Sequence, residues 1–236
     1  MSKRTPKHLN AGFSLIELVI AMALTLTVMS VATVLLAQAF NTRTRTNANN
    51  DALADAQRAL NIMTREISTA GFNLTGNGIV SGDTANDANG NSMIRIRANL
   101  NKFDETASTT ARNGISVVGE DAGEDVKYFI HQASNTNLLA RYDEYGQAGG
   151  SVTVLANRLD SLHMHYYSAK VSYTTSGCDV SSATSEVSPS AAQYVVIAVC
   201  VQLDAVGSFG TPGYQPEKNV LLVSDVTLRN ANLPYY

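Results

Sequence analysis

Charge is scarce in this 236-residue chain, and one stretch has almost none. Asp, Glu, Lys and Arg together make up 16% of it, against about 25% in a typical soluble domain. Between Phe13 and Phe40 the single charged residue is Glu17. Helix breakers are missing over a longer stretch still: no Gly or Pro stands between Phe13 and Ala70. Signatures of chemistry are also missing. There is no nucleophile elbow, phosphate loop, CxxC pair or zinc spacing, and no spacing singles out a Ser–His–Asp triad. An enzyme is therefore not expected, and neither a catalytic residue nor a cofactor is assigned. A basic surplus is absent too. Net charge is -3, and the first 12 residues hold three of the 17 bases and none of the 20 acids, so the remainder carries -6. Such a surface repels nucleic acid on average, and general nucleic-acid binding is not expected.

What is present begins at the N-terminus. Residues 1–12, with Lys3, Arg4 and Lys7, are polar and basic, and residues 13–40 are apolar. As a helix those 28 residues would span about 42 Å, enough to cross a hydrocarbon core about 30 Å thick. The basic leader would stay cytoplasmic and the C-terminal bulk would lie outside. A secretory signal has a shorter apolar run before its cleavage site, and neither it nor a plain anchor accounts for Glu17. A carboxylate at membrane depth costs about 2.5–3.5 kcal/mol unless it finds a partner.

Gly12-Phe13-Ser14-Leu15-Ile16-Glu17-Leu18 resembles the processing motif of type IV prepilins and type II secretion pseudopilins. The resemblance implies a peptidase that cuts after Gly12 on the cytoplasmic side and methylates the new N-terminus, Phe13, while the apolar segment is kept. It also implies a role in subunit assembly for Glu17, which would pair with the N-terminal amine of a neighbouring Phe13 inside an apolar filament core. A stranded charge there costs several kcal/mol, so the pair would lock the register between subunits.

The unbroken stretch from Phe13 to Ala70 reads as one helix, with Gly71 as its stop. Residues 41–51 have poor helix propensity and are expected to fray or bend. Beyond them Leu53, Leu60 and Ile67 recur every seven residues, and Ala56, Met63 and Ala70 form a second row, a stripe suited to packing on a sheet. Arg43, Arg45, Arg58 and Arg65 are placed on the solvated or headgroup side. Short strand-like runs follow: 93–98, 115–118, 126–131, 138–142, 152–156, 159–167, 194–203 and 220–228. The fold class is α+β, a long N-terminal helix on an antiparallel β-sheet head, which is also what the type IV pilin resemblance implies. The expected organisation is a cleaved leader over 1–12, a transmembrane and filament-core helix over 13–40, its amphipathic continuation over 41–71, and a periplasmic β-rich head over 72–236.

Later stretches resemble PilW-type minor pilins: residues 58–67 leading into Ala70-Gly71-Phe72, residues 157–162, Tyr166-Tyr167, and Leu228-Arg229-Asn230. J-type pseudopilins of type II secretion share this layout. Major pilins usually carry a Pro in the membrane helix, and this chain has none there. The expected function is a minor pilin in type IV pilus assembly, at initiation or in a tip priming complex. A tip pseudopilin of a type II secretion system stays open, as does a pilus-tip adhesin or DNA-uptake module. The implied partners are other minor pilins, the major pilin, prepilin peptidase, the inner-membrane assembly platform and the lipid bilayer. The implied location is the inner membrane, single-pass with a periplasmic head, and then the pilus.

Three further groups call for a reading. In a periplasmic head, where disulfides persist, Cys178 and Cys200 are expected to bond and to pin the 179–199 segment to the sheet edge. His163 and His165 share one face of a strand, apart from His131 and His8, and read as solvent-facing. No metal site is assigned; Asp83, Asp87 and Asn89 are weak calcium candidates in an oxygen-rich run that lacks the terminal Glu of an EF-hand. Glu120, Asp121, Glu124 and Asp125 read as a loop.

Overall fold

The computed structural model describes residues 14–74, 76–81, 86–100, 122–133, 136–144, 151–210 and 213–231. One helix, α1 (Leu15–Thr69), runs without a break. Nine strands follow among the described residues: β1 (Ile94–Arg97), β2 (Asp125–Ala133), β3 (Thr136–Asp143), β4 (Ser151–Ala156), β5 (Leu159–Tyr167), β6 (Thr174–Ser176), β7 (Asp179–Ser181), β8 (Tyr194–Leu203) and β9 (Lys218–Thr227). They make a four-stranded sheet β1-β2-β3-β4, a three-stranded sheet β5-β8-β9 and the small hairpin β6-β7. Each of these strand pairings is antiparallel. The α+β expectation of a long N-terminal helix on an antiparallel head is what the chain adopts. The expected strand over 115–118 lies outside the described residues, as does residue 13 at the helix start.

The two larger sheets are stitched along the free edge of β5. Ser92 donates its N–H to the Leu162 carbonyl at 2.7 Å. The Ser92 hydroxyl accepts from Met164 N–H at 3.1 Å. The Asn91 side chain accepts from Leu162 N–H at 3.3 Å.

The period-2 rule explains why β8 reads as a nearly unbroken apolar run. Val195, Ile197, Val199 and Val201 face the main core under α1. Tyr194, Val196 and Ala198 face a second, smaller core with Val180 of β7 and with Tyr167. The strand is covered on both faces, by the helix on one and by the β6-β7 hairpin on the other.

The stripe on α1 packs as its spacing requires. Ala56, Leu60, Met63, Ile67 and Ala70 are buried, with Leu53 partly so. Gly71 ends the helix at φ +77° and donates its N–H to the Arg97 carbonyl at 2.9 Å. The helix is continuous through residues 41–51, so the fraying expected there does not occur. Arg45 donates to the Ala205 carbonyl at 3.1 Å and Asn49 to the Asp204 carbonyl at 3.0 Å, so tertiary contacts override weak propensity there. Arg45, placed on the solvated side by sequence, thus also holds the head.

Candidate functional site

The first half of α1 stands clear of the head. Every residue from Ser14 to Asn41 is exposed in the single chain, including Leu15, Ile16, Leu24, Val28, Leu35 and Phe40. The helix is long and apolar enough to cross a membrane. From Leu15 to Phe40 it rises about 39 Å.

Its polar side chains are handled internally. The hydroxyls of Thr25, Thr27, Ser30 and Thr33 donate to the backbone carbonyls of Met22, Leu24, Thr27 and Met29 at 2.8–2.9 Å. A buried or lipid-facing hydroxyl without an acceptor costs free energy, and these four satisfy themselves within the helix. Glu17 differs from them. It sits in the first turn of α1, where the positive end of the helix dipole favours a carboxylate, and its side chain is paired with no described residue. Gly12 and Phe13, the expected cleavage and methylation residues, lie outside the described residues.

The second half of α1 is fastened to the head by polar contacts as well as by the core. Arg141 of β3 donates to Glu66 of the helix at 3.0 Å, and Tyr128 of β2 donates its hydroxyl to the same carboxylate. Burial, then the Glu66 charge, pushes the Tyr128 hydroxyl well above its ordinary range, so it stays protonated as the donor. Thr64 donates to the Ser224 hydroxyl of β9 at 3.1 Å. Asn230 caps the helix end, donating to the Thr69 and Ala70 carbonyls at 3.2 and 3.3 Å.

Cys178 and Cys200 are joined in a disulfide, with Cα atoms 5.3 Å apart. Its setting differs from the one expected. Cys200 lies on β8, the central strand of its sheet, and Cys178 lies in the turn of the β6-β7 hairpin. The bond therefore fastens the hairpin over the face of the sheet, and not to its edge.

His165 also departs from expectation. It shares its strand face with His163, but its side chain is only 15% exposed and is gripped from both sides. Nε2 lies 2.7 Å from Asp179 Oδ1 and Nδ1 lies 2.8 Å from Glu186 Oε1. Burial pulls its pKa down, but hydrogen bonds to Glu186 and Asp179 outweigh it and hold the imidazole above its ordinary value. When the imidazole is protonated, both ring nitrogens donate to these carboxylates, and that form has no lone pair for a metal. Sequence reasoning missed this clamp because Asp179 and Glu186 are brought to His165 only by the hairpin.

The acidic candidates are structural as well. Asp87 accepts from Asn89 N–H and Asn91 N–H at 2.8 Å and from the Asn91 side chain at 3.1 Å. Slight burial raises its pKa, but those hydrogen bonds outweigh it and hold the carboxyl below its ordinary value. Asn89 is exposed on that turn, and Asp83 lies outside the described residues. Glu124 and Asp125 do not belong to a solvated loop. Both are buried; Asp125 opens β2 and accepts from Arg95 at 2.6 Å and Arg97 at 2.8 Å. Glu124 accepts from Leu100 N–H at 2.8 Å. Glu120 and Asp121 lie outside the described residues.

Residues 7–33 match the family described as the prokaryotic N-terminal methylation motif. No curated protein matches the chain. A type IV-like pilin from Thermus thermophilus is similar in structure over 76% of this chain and 97% of its own, at 10% identity and a TM-score of 0.39. At that score the likeness carries no further weight.

Proposed function

We propose that this chain, a type IV prepilin-like protein by the methylation motif over residues 7–33, is a minor pilin, a structural subunit rather than an enzyme. In this reading the leader over 1–12 is removed after Gly12 and Phe13 becomes the methylated N-terminus. Residues 13–40 hold the subunit in the inner membrane and later enter the filament core. Residues 41–71 carry the helix into the head, and residues 72–236 lie in the periplasm.

The observation that carries the reading is the first half of α1. Twenty-six residues from Leu15 to Phe40 are exposed, and Glu17 is their single charge. A helix apolar on every side needs lipid or neighbouring helices around it. A lone carboxylate near its start needs a cation, and the amine of a processed neighbour's Phe13 supplies one. The minor role, the PilW type and assignment to pilus initiation follow from the sequence resemblance, as do the partners: other pilins, prepilin peptidase and the assembly platform.

Mass spectrometry of the protein recovered from cells with active prepilin peptidase tests the reading. The mature chain should begin at Phe13, with that residue methylated. An uncut chain, or a product beginning near Phe40, would overturn it. If neighbouring genes encode a type II secretion system, the same processed product is a tip pseudopilin.

A further inference from the structure

The loop after β8 continues as a hairpin toward the apolar half of α1. Along the β8–β9 ladder, partners run from Tyr194 opposite Thr227 to Leu203 opposite Lys218. The bridge between Val206 and Gln215 keeps that same register, and Val206 and Gln215 exchange both backbone hydrogen bonds at 2.9 Å. The hairpin therefore continues the β8–β9 register past Leu203, with its tip beyond Val206.

Contacts along α1 give the direction. Ser224, opposite Ile197, meets Thr64, and Asp204 meets Asn49. Seven strand residues cover about 23 Å, and the fifteen helix residues between Thr64 and Asn49 cover about 22 Å. β8 thus runs alongside α1, antiparallel to it. Ala205 is within reach of the Arg45 side chain. From Arg45 back to Phe40, the last residue of the apolar run, is about 7.5 Å of helix. From Ala205 to Phe209 is up to about 13 Å of extended chain. A hairpin carried on in this direction has enough chain to bring its tip as far as the level at which the apolar run ends.

The tip carries what a headgroup boundary takes up. Phe209 is 89% exposed, the most exposed large apolar side chain of the described residues, and it meets Tyr214 edge to face with ring centroids 5.6 Å apart. Aromatic rings are favoured at the membrane–water interface. Exposed Arg43 and Arg45 lie on the helix at this level, suited to lipid phosphates. The two acids of the hairpin itself sit farther back and are partnered: Asp204 by Arg158 at 2.7 Å, and Glu217 by Gln202.

We propose that the β8–β9 hairpin tip is a second contact with the bilayer, in which Phe209 enters the headgroup boundary beside the exit of α1 and sets the tilt of the head over the membrane. The proposal rests on the reading of residues 15–40 as a membrane span. The chain has no tryptophan, so Phe209→Trp gives a single indole reporter at an exposed tip. The full chain would be reconstituted in vesicles of phosphatidylethanolamine and phosphatidylglycerol, with or without bromine near the headgroup end of the acyl chains. The expected result is emission shifted to the blue and mostly lost on brominated lipid. Leu26→Trp, within the span, serves as the control with bromine at mid-chain. If the span reporter is quenched but the tip reporter emits as in water and is not quenched, the hairpin proposal fails and the span stands. If the tip reporter is shifted to the blue but not quenched, protein covers the tip and the proposal is again overturned. If the span reporter is not quenched, the span reading fails and takes this one with it.

Discussion

Arg141 and Glu66 meet across the seam between sheet and helix, the guanidinium Nε donating to both carboxylate oxygens at 3.0 and 3.2 Å. The same arginine reaches Asp143 at 3.1 Å, and Asp143 in turn accepts from Gly123 N–H at 2.9 Å. Both members of the pair are largely out of water, at 17% and 23% side-chain exposure. The pair ties the helix to β3, as Thr64 ties it to β9, so a load on α1 is shared by both sheets.

Arg141→Met should therefore take a charged partner from two carboxylates, and it is expected to cost about 3 kcal/mol. Urea unfolding of the full chain in detergent measures this. The double variant Arg141→Met, Glu66→Gln should lose less than the sum of the two single losses. Additivity would mean the pair is not coupled.

Gly78 gives the sharpest steric prediction. It has φ +75°, and a Cβ built on it would lie 2.1 Å from Gly71 N and 2.3 Å from the Arg97 carbonyl oxygen. This crossing packs the helix end against β1, since Arg97 donates its N–H to the Gly78 carbonyl at 2.7 Å. Gly78→Ala should cost about 3 kcal/mol or more, from left-handed strain and backbone overlap together. Gly76→Ala meets nothing within 4 Å and should stay within about 0.5 kcal/mol of the parent. Equal melting temperatures for the two variants would refute the account.

Reduction of Cys178–Cys200, 22 residues apart, should destabilise the chain by about 3 kcal/mol by loop-closure entropy. The first part to loosen should be the β6–β7 hairpin. Hydrogen exchange should rise at Val180 and across 174–181 before it rises in β8. Alkylation of the denatured, unreduced protein should label neither cysteine.

Much of the architecture was legible because it depends on local features. The run without Gly or Pro gave α1 to within two residues of its observed ends, and Gly71 marked its stop. The apolar runs gave β1, β2, β3, β4, β5, β8 and β9, because each alternates or is continuously apolar. β6 and β7 were illegible: they are three residues each in a Ser/Thr-rich stretch, and Val180 is their one buried apolar side chain. Partners distant in sequence were equally hidden. Glu66 lies 75 residues from Arg141, and no periodicity connects them. The fraying expected over 41–51 fails for the same reason, since Arg45 and Asn49 are held by Ala205 and Asp204, about 160 residues away. At the start of α1 the sequence is more informative than the fold: the methylation motif matches residues 7–33, while Gly12 and Phe13 lie outside the described residues.

Glu17→Ala should leave membrane insertion intact or improved, since an apolar residue is cheaper at that depth. It should lower recovery of the subunit in sheared filaments, because the neighbour's N-terminal amine loses its counter-charge. Wild-type recovery of the variant would remove Glu17 from the proposed register lock while leaving the span untouched.

The His165 clamp sets a pH dependence whose sign can be worked out. The groups that face the imidazole are Asp179 at the start of β7 and Glu186 beyond it, with the Tyr167 hydroxyl also feeling both acids. The folded-state pKa is raised above the ordinary value of about 6.5, so folding takes up a proton at this site. The contribution is fully present below about pH 6.5, where the unfolded chain is protonated too. It is lost as pH rises through the raised folded-state value. Both carboxylates are partly in water, at 41% and 49% side-chain exposure, so the effect should be modest, about 1 kcal/mol. His165→Gln should lower the melting temperature in mild acid and have little effect well above neutrality, flattening the pH profile of the parent. A parent whose stability rises with pH across this window, or a His165 NMR titration midpoint below the ordinary histidine value, would show that the two carboxylates do not hold the imidazolium. Because the hairpin is also fastened by Cys178–Cys200, the pH effect should be larger in the reduced protein, where the clamp carries a greater share of what keeps β6 and β7 on the sheet.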